Sequence, residues 1–226
     1  MPFPDLADRL AETQARIAAA AARGNGQRVT LVAVTKTHGA DAVRAVTALG
    51  ITDVGENRVQ EALPKMDEVG ASVRWHLIGH LQRNKVKQLD GFHLVHSMDS
   101  ARLADALDEH GRARGRPMDV LLQVNVSGEG TKGGYEPANV EAEAERLAGM
   151  TGLLVRGVMT MAPFDAEEAT LRRVFGGARN AADKLRAAGL PATELSMGMS
   201  GDYEIAVEEG ATLVRLGTVL FGARSA

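Results

Sequence analysis

The sequence predicts an α/β fold: a single (β/α)8 TIM-type barrel preceded by an N-terminal helix. Three observations carry that expectation. Short β-branched runs alternate with longer helical patterns, as parallel βαβ units do. Eight such runs fit into 226 residues, near the lower end of barrel size. Small, amide, hydroxyl and cationic residues follow the runs, where a barrel keeps its functional groups. A doubly wound sheet is the fallback for the same units.

Leu6, Leu10, Thr13 and Ile17 recur at helical spacing between Pro4 and Arg23, and Gly24-Asn25-Gly26 stops that first helix. Strands are expected near 29–35, 52–55, 73–78, 92–96, 119–126, 154–159, 193–196 and 212–216, with helical patterns between most consecutive pairs. Two later helices are clearest. One covers 99–110, from the Ser97/Asp99 cap region to Gly111; the other covers 165–188, with a D-x-x-E cap at Asp165 and Glu168. Gly189-Leu190-Pro191 ends the second, and Gly176-Gly177 weakens its middle. No solenoid repeat or low-complexity linker divides the chain, so 1–226 reads as one domain.

Composition narrows the classes. Hydrophobic residues at 45% and charged residues at 24% describe an ordinary soluble protein, and no apolar run is long enough to span a bilayer. Asp5, Asp8, Arg9, Glu12 and Arg16 leave the N-terminus without the apolar segment of a signal peptide, so a cytoplasmic protein is expected. The absence of cysteine removes disulfides, thiol nucleophiles and cysteine-bound metals. A net charge of −3 lacks the basic excess of a general nucleic-acid binder.

Lys36 closes the run Val29-Thr30-Leu31-Val32-Ala33-Val34-Thr35-Lys36, which places a primary amine where a buried strand emerges. A desolvated lysine there can present the neutral amine that attacks a carbonyl to form a Schiff base. The later ends are Gly55-Glu56-Asn57, Gly79-His80, His96-Ser97, Asn125, Met159-Thr160-Met161, Ser196 to Gly201, and Arg215-Leu216-Gly217-Thr218. Two of these loops have the chemistry of a phosphate cradle. Ser200 falls near the start of a helix over 202–209, while Gly217 and Thr218 offer close backbone approach and a hydroxyl. Barrels often hold phosphate after strands seven and eight. Plain capping and a tight turn are the structural alternatives, and Asp202 brings a carboxylate beside the cradle unless it points away or caps the helix.

Several segments together carry a family resemblance. Gly55-Glu56-Asn57-Arg58-Val59-Gln60-Glu61, Trp75-His76-Leu77-Ile78-Gly79-His80-Leu81-Gln82-Arg83-Asn84-Lys85, Val124-Asn125-Val126-Ser127-Gly128-Glu129, Leu195-Ser196-Met197-Gly198-Met199-Ser200-Gly201-Asp202 and Val214-Arg215-Leu216-Gly217-Thr218 stand in order with Val34-Thr35-Lys36. The chain closely resembles the pyridoxal phosphate homeostasis protein family, related to the barrel domain of alanine racemase. The resemblance implies pyridoxal 5′-phosphate as cofactor, bound as a Schiff base on Lys36, with Ser200, Gly217 and Thr218 holding the phosphate. Asn57 would line the site, and Arg215 would face the pyridine nitrogen. An arginine donates to an unprotonated ring nitrogen and cannot accept from a protonated one, so the ring is a poor electron sink.

The implied function is vitamin B6 homeostasis without turnover. In alanine racemase a tyrosine from a C-terminal β-domain serves as second base. This chain is read as ending just past strand eight, and Tyr135 and Tyr203 carry no sign of that role. The rivals are an amino acid racemase or related enzyme using Lys36 as base, and a cofactor-free Schiff-base aldolase. A monomer is expected, without membrane or nucleic-acid partners. Arg83, Lys85 and Lys87 read as a solvated helix face, with docking of pyridoxal phosphate-dependent apoenzymes as the alternative. Thr131-Lys132-Gly133-Gly134 departs from the family's Ser-Lys-Ser-Gly and leaves the part of Lys132 open, as the sequence does for His80. A metal at His76/His80 or His93/His96 is disfavoured because no carboxylate stands at ligand spacing.

Overall fold

The structure, a computed structural model, describes residues 3–130 and 132–222. Strands β1 (Thr30–Val34), β2 (Asp53–Glu56), β3 (Arg74–Leu77), β4 (Phe92–Met98), β5 (Met118–Gln123), β6 (Leu153–Met159), β7 (Glu194–Ser196) and β8 (Leu213–Leu216) close into a parallel barrel in chain order. The seam between β8 and β1 runs in register from Thr30 opposite Leu213 to Ala33 opposite Leu216. The predicted barrel and N-terminal helix are therefore both present.

Strand alternation sorts the side chains. Val32, Leu94, Leu121, Met159 and Leu213 fill the barrel interior, while Leu31, Ala33, Val54, Trp75 and Leu77 face the helical layer. That layer comprises α1 (Leu6–Arg23), α2 (Ala40–Ala48), α3 (Val59–Val69), α4 (Ala101–Ala113), α5 (Val140–Ala148), α6 (Glu168–Ala187), α7 (Tyr203–Glu208) and α8 (Thr218–Phe221). None of the described helices is long and apolar enough to cross a membrane.

Helix α1 buries Leu6, Leu10, Thr13, Ile17, Ala20 and Ala21 and packs against α7 and α8. Arg16 to Glu204 at 2.5 Å and Arg23 to Glu208 at 2.7 Å orient it, although half-exposed pairs of this kind contribute only about 0–1 kcal/mol each. Burial of the apolar stripe is the larger effect.

Three local expectations are corrected, and Gly177 of the glycine pair in α6 finds its reason. Asp165 adopts φ 53° in the preceding loop instead of capping, and α6 begins at Glu168 with no side-chain cap. Gly176-Gly177 does not interrupt α6. A Cβ on Gly177 would meet Val126 Cγ1 at 2.4 Å, so that glycine serves close packing against the β5 loop. Between β3 and β4 the chain forms a 3-10 segment, Arg83–Gln88, in place of an α-helix, with Arg83 and Lys87 exposed. Strand β5 ends at Gln123, and Asn125 turns its amide to the carbonyls of Glu129 and Lys132.

Candidate functional site

Lys36 and Asn57 reach the mouth because their neighbours are fixed behind the wall. Thr35 donates its hydroxyl to Glu56 Oε1 at 2.5 Å, and Lys65 on α3 donates to the same oxygen at 2.7 Å and to the Thr35 carbonyl at 3.0 Å. Thr35 and Glu56 thus face α3. One residue later the alternation turns Lys36 and Asn57 toward the carboxyl-end opening. Gly79 follows β3 so closely that a Cβ would stand 2.3 Å from the Asn57 carbonyl oxygen, and only a glycine lets the two loops meet.

On the opposite side, inward-facing Arg215 is buried in β8. Its Nη1 donates to Ser196 Oγ at 2.5 Å and its Nη2 to the Thr160 carbonyl at 3.0 Å. Burial pushes the guanidinium down to about 10, partly offset by the Asp202 carboxylate. It therefore remains a cation at neutral pH.

The loops after β7 and β8 are joined, as the barrel reading requires. The Val219 N–H donates to Ser200 Oγ at 3.2 Å, and the Arg215 N–H to the Gly198 carbonyl at 3.0 Å. Ser200 is not the helix cap. Asp202 occupies the N-cap position of α7, and its Oδ1 turns back to accept the Met199 N–H at 2.6 Å. Burial raises the Asp202 carboxyl against that hydrogen bond, which is unfavourable for a second anion nearby only when it is ionised. Among the described residues, the backbone N–H groups of Ser200 and Gly201 have no protein acceptor.

All six site residues expected from the sequence, Lys36, Asn57, Ser200, Arg215, Gly217 and Thr218, line one cavity of about 780 Å³. Its apolar wall comprises Val34, Ile78, Met161 and Leu171, and Phe164, 99% exposed, stands at the rim. Gln123, His80 and Asp99 join the lining without having been singled out as site residues. Gln123 donates to the Gly133 carbonyl at 2.6 Å, and His80 Nδ1 lies 2.8 Å from Asp99 Oδ2. Gln123 closes β5 with the same inward parity as Leu121, the signal that could have found it. Lys132 turns instead to Glu129 and to the Ala162 carbonyl at 2.9 Å. Thr131 lies outside the described residues.

His76 and His80 each meet a carboxylate in space, from a position far away in the sequence. His76 Nε2 is 3.0 Å from Asp53 Oδ1, which Arg74 also binds at 2.8 Å. No group of three or more His, Cys, Asp or Glu side chains suited to a metal ion occurs among the described residues. Burial tends to raise the Asp53 carboxyl, but hydrogen bonds from His76 and Arg74 outweigh it and hold the group below the usual carboxylate range. A depressed acid contributes stability above its unfolded value that is lost as pH falls. Asp53→Asn should thus lower unfolding free energy by about 1–2 kcal/mol at neutral pH. In urea titrations the difference from wild type should shrink below about pH 4.

An eight-stranded barrel with an amine, an arginine and a hydroxyl-lined cradle at its carboxyl-end mouth defines a small-molecule binding protein of the TIM-barrel class. The profile described as "Alanine racemase, N-terminal domain" matches residues 8–225. The pyridoxal phosphate homeostasis protein of Pseudomonas aeruginosa is 43% identical over 223 residues, covering 97% of this chain and 96% of that one. Its counterpart in Aquifex aeolicus is 40% identical, covering 96% and 97%. The structure of PipY from Synechococcus elongatus with pyridoxal phosphate bound superposes with a TM-score of 0.85 at 39% identity, covering 96% of this chain and all of that one. The chain belongs to the pyridoxal phosphate homeostasis protein family. Alanine racemase from Clostridium difficile, at 17% identity and a TM-score of 0.74, shares the fold, and this chain spans 57% of its length.

Proposed function

We propose that this protein binds pyridoxal 5′-phosphate as a Schiff base on Lys36 and serves vitamin B6 homeostasis by holding and releasing it. One observation carries the reading: the amine, the arginine and both phosphate loops line the same cavity. The donor set suits the cofactor at each end. Ser200 and Thr218 hydroxyls and the N–H groups of Ser200 and Gly201 suit a phosphate, while Val34, Ile78 and Met161 suit the faces of a ring. When bound, the cofactor supplies an aldehyde and an aromatic electron sink. Lys36 Nζ bonds the aldehyde carbon as the carbonyl oxygen leaves as water, a step that requires no oxidant or reductant. Names of relatives 40% and 43% identical, and a 39% identical structure with pyridoxal phosphate bound, support the assignment.

Holding is favoured over turnover for two reasons. Arg215 donates hydrogen bonds and cannot accept one from a protonated ring nitrogen, which limits stabilisation of negative charge on a substrate carbon. Neither tyrosine lines the cavity: Tyr135 donates to Glu143 at 2.6 Å, and buried Tyr203 packs under α1. Purified protein titrated with pyridoxal phosphate should develop a visible band saturating near one equivalent. Alanine in deuterated buffer should acquire no α-deuterium from the coloured protein. A colourless mixture would overturn the cofactor assignment, and rapid α-exchange would overturn the holding role.

A further inference from the structure

Arg215 has a second set of partners beneath the cavity. The groups Arg215, Ser196, His96, His76 and Asp53 are all buried and belong to five different strands, yet each touches the next. Arg215 Nη1 lies 2.5 Å from Ser196 Oγ, Ser196 Oγ 2.8 Å from His96 Nδ1, His96 Nε2 2.9 Å from His76 Nδ1, and His76 Nε2 3.0 Å from Asp53 Oδ1. The line crosses the barrel interior from the start of β2 to β8. At its far end Arg74, half exposed at the amino-terminal opening, grips Asp53 through Nε at 2.8 Å and Nη2 at 2.5 Å.

The donors in this line have a single consistent direction. An ionised Asp53 only accepts, so His76 must carry its proton on Nε2. Neutral His76 then offers Nδ1 as an acceptor, which requires His96 to be protonated on Nε2. His96 Nδ1 in turn accepts the Ser196 hydroxyl proton. Ser196 Oγ is left with lone pairs alone, and these receive Arg215 Nη1–H. Complete burial favours the neutral state of His96, pushing it well below the usual imidazole range. The alternative, a charged His76, would reverse His96 and leave the Ser196 hydroxyl without its acceptor.

We propose that Asp53, His76, His96 and Ser196 are positioning residues for Arg215, an oriented hydrogen-bond relay that fixes the guanidinium as a donor toward the cofactor ring. The inference rests on the cofactor reading above and supplies what that reading lacks, a reason for a buried arginine with no carboxylate in contact. Asp202 at the cavity mouth is the carboxylate whose charge acts on Arg215, and the aligned hydrogen bonds, which polarise one another, add an oriented field from the Asp53 end without a second carboxylate beside the ring.

Histidine 15N NMR of the unloaded protein at neutral pH tests the relay directly, with His76→Gln and His96→Gln assigning the resonances. Both imidazoles should be neutral Nε2–H tautomers. A charged His76 or an Nδ1–H tautomer of His96 would overturn the proposal. In loaded protein, Ser196→Ala should retain colour while moving the pH midpoint of the visible band by about one unit. An unmoved midpoint would likewise overturn it. Wild-type protein that stays colourless with pyridoxal phosphate would sink the cofactor reading instead, and the tautomers would then judge the relay alone.

Discussion

Lys36→Ala should abolish the borohydride-stable adduct and weaken pyridoxal phosphate binding by on the order of a hundredfold, roughly 2.8 kcal/mol. The loss is not complete because the phosphate loops do not depend on Lys36. Ser200 is held by Val219 N–H, and the N–H groups of Ser200 and Gly201 remain directed by a loop whose geometry Asp202 and Arg215 set. The variant should therefore bind phosphate-bearing analogues that lack an aldehyde as wild type does. Equilibrium dialysis separates the two contributions. Equal pyridoxal phosphate affinity in wild type and variant would remove Lys36 from the account.

Lys65→Met should produce the largest loss of stability, about 3–5 kcal/mol, since removing one partner of a buried pair leaves the other charge uncompensated. Glu56 is fully buried, and its Oε2 already lacks a partner among the described residues. Lys65 places its cation 2.7 Å from the carboxylate and ties it to the Thr35 carbonyl. For a chain of this size such a loss lowers the melting temperature by roughly 10 °C. The double variant Glu56→Gln/Lys65→Met should recover much of it, because the buried charge is gone. Pyridoxal phosphate affinity should fall in the single variant as well, since Thr35 and Glu56 set the exits of Lys36 and Asn57. A single variant as stable as wild type would show that the pair does not hold these strand ends.

The barrel was legible because each strand is a short apolar run closed by glycine or polar residues, and the order of runs dictates the order of strands. The mouth was legible for the same reason, as Lys36, Asn57, Arg215 and the two phosphate loops each sit at a strand end. Asp53, His76, His96 and Ser196 were not. Each is a lone polar residue within or beside an apolar run, and its partners are separated from it by 19 to 100 positions. Periodicity assigns a residue to a face; it does not say which other strand's polar group occupies the same layer. Lys65 was hidden in the opposite way, because nothing in a helical run distinguishes a lysine that a buried carboxylate on a neighbouring strand draws inward. Asp165 misled because a D-x-x-E spacing is compatible with a loop residue at positive φ as well as with a cap.

The central claim is that Lys36 is the residue that captures the cofactor. Borohydride reduction of the loaded protein, followed by peptide mapping by mass spectrometry, tests it most directly. The account predicts one pyridoxyl-phosphate mass increment, on the peptide containing Lys36 and absent from Lys36→Ala. An adduct carried mainly by Lys132, Lys65 or the surface lysines Lys85 and Lys87, with Lys36 unmodified, would contradict it.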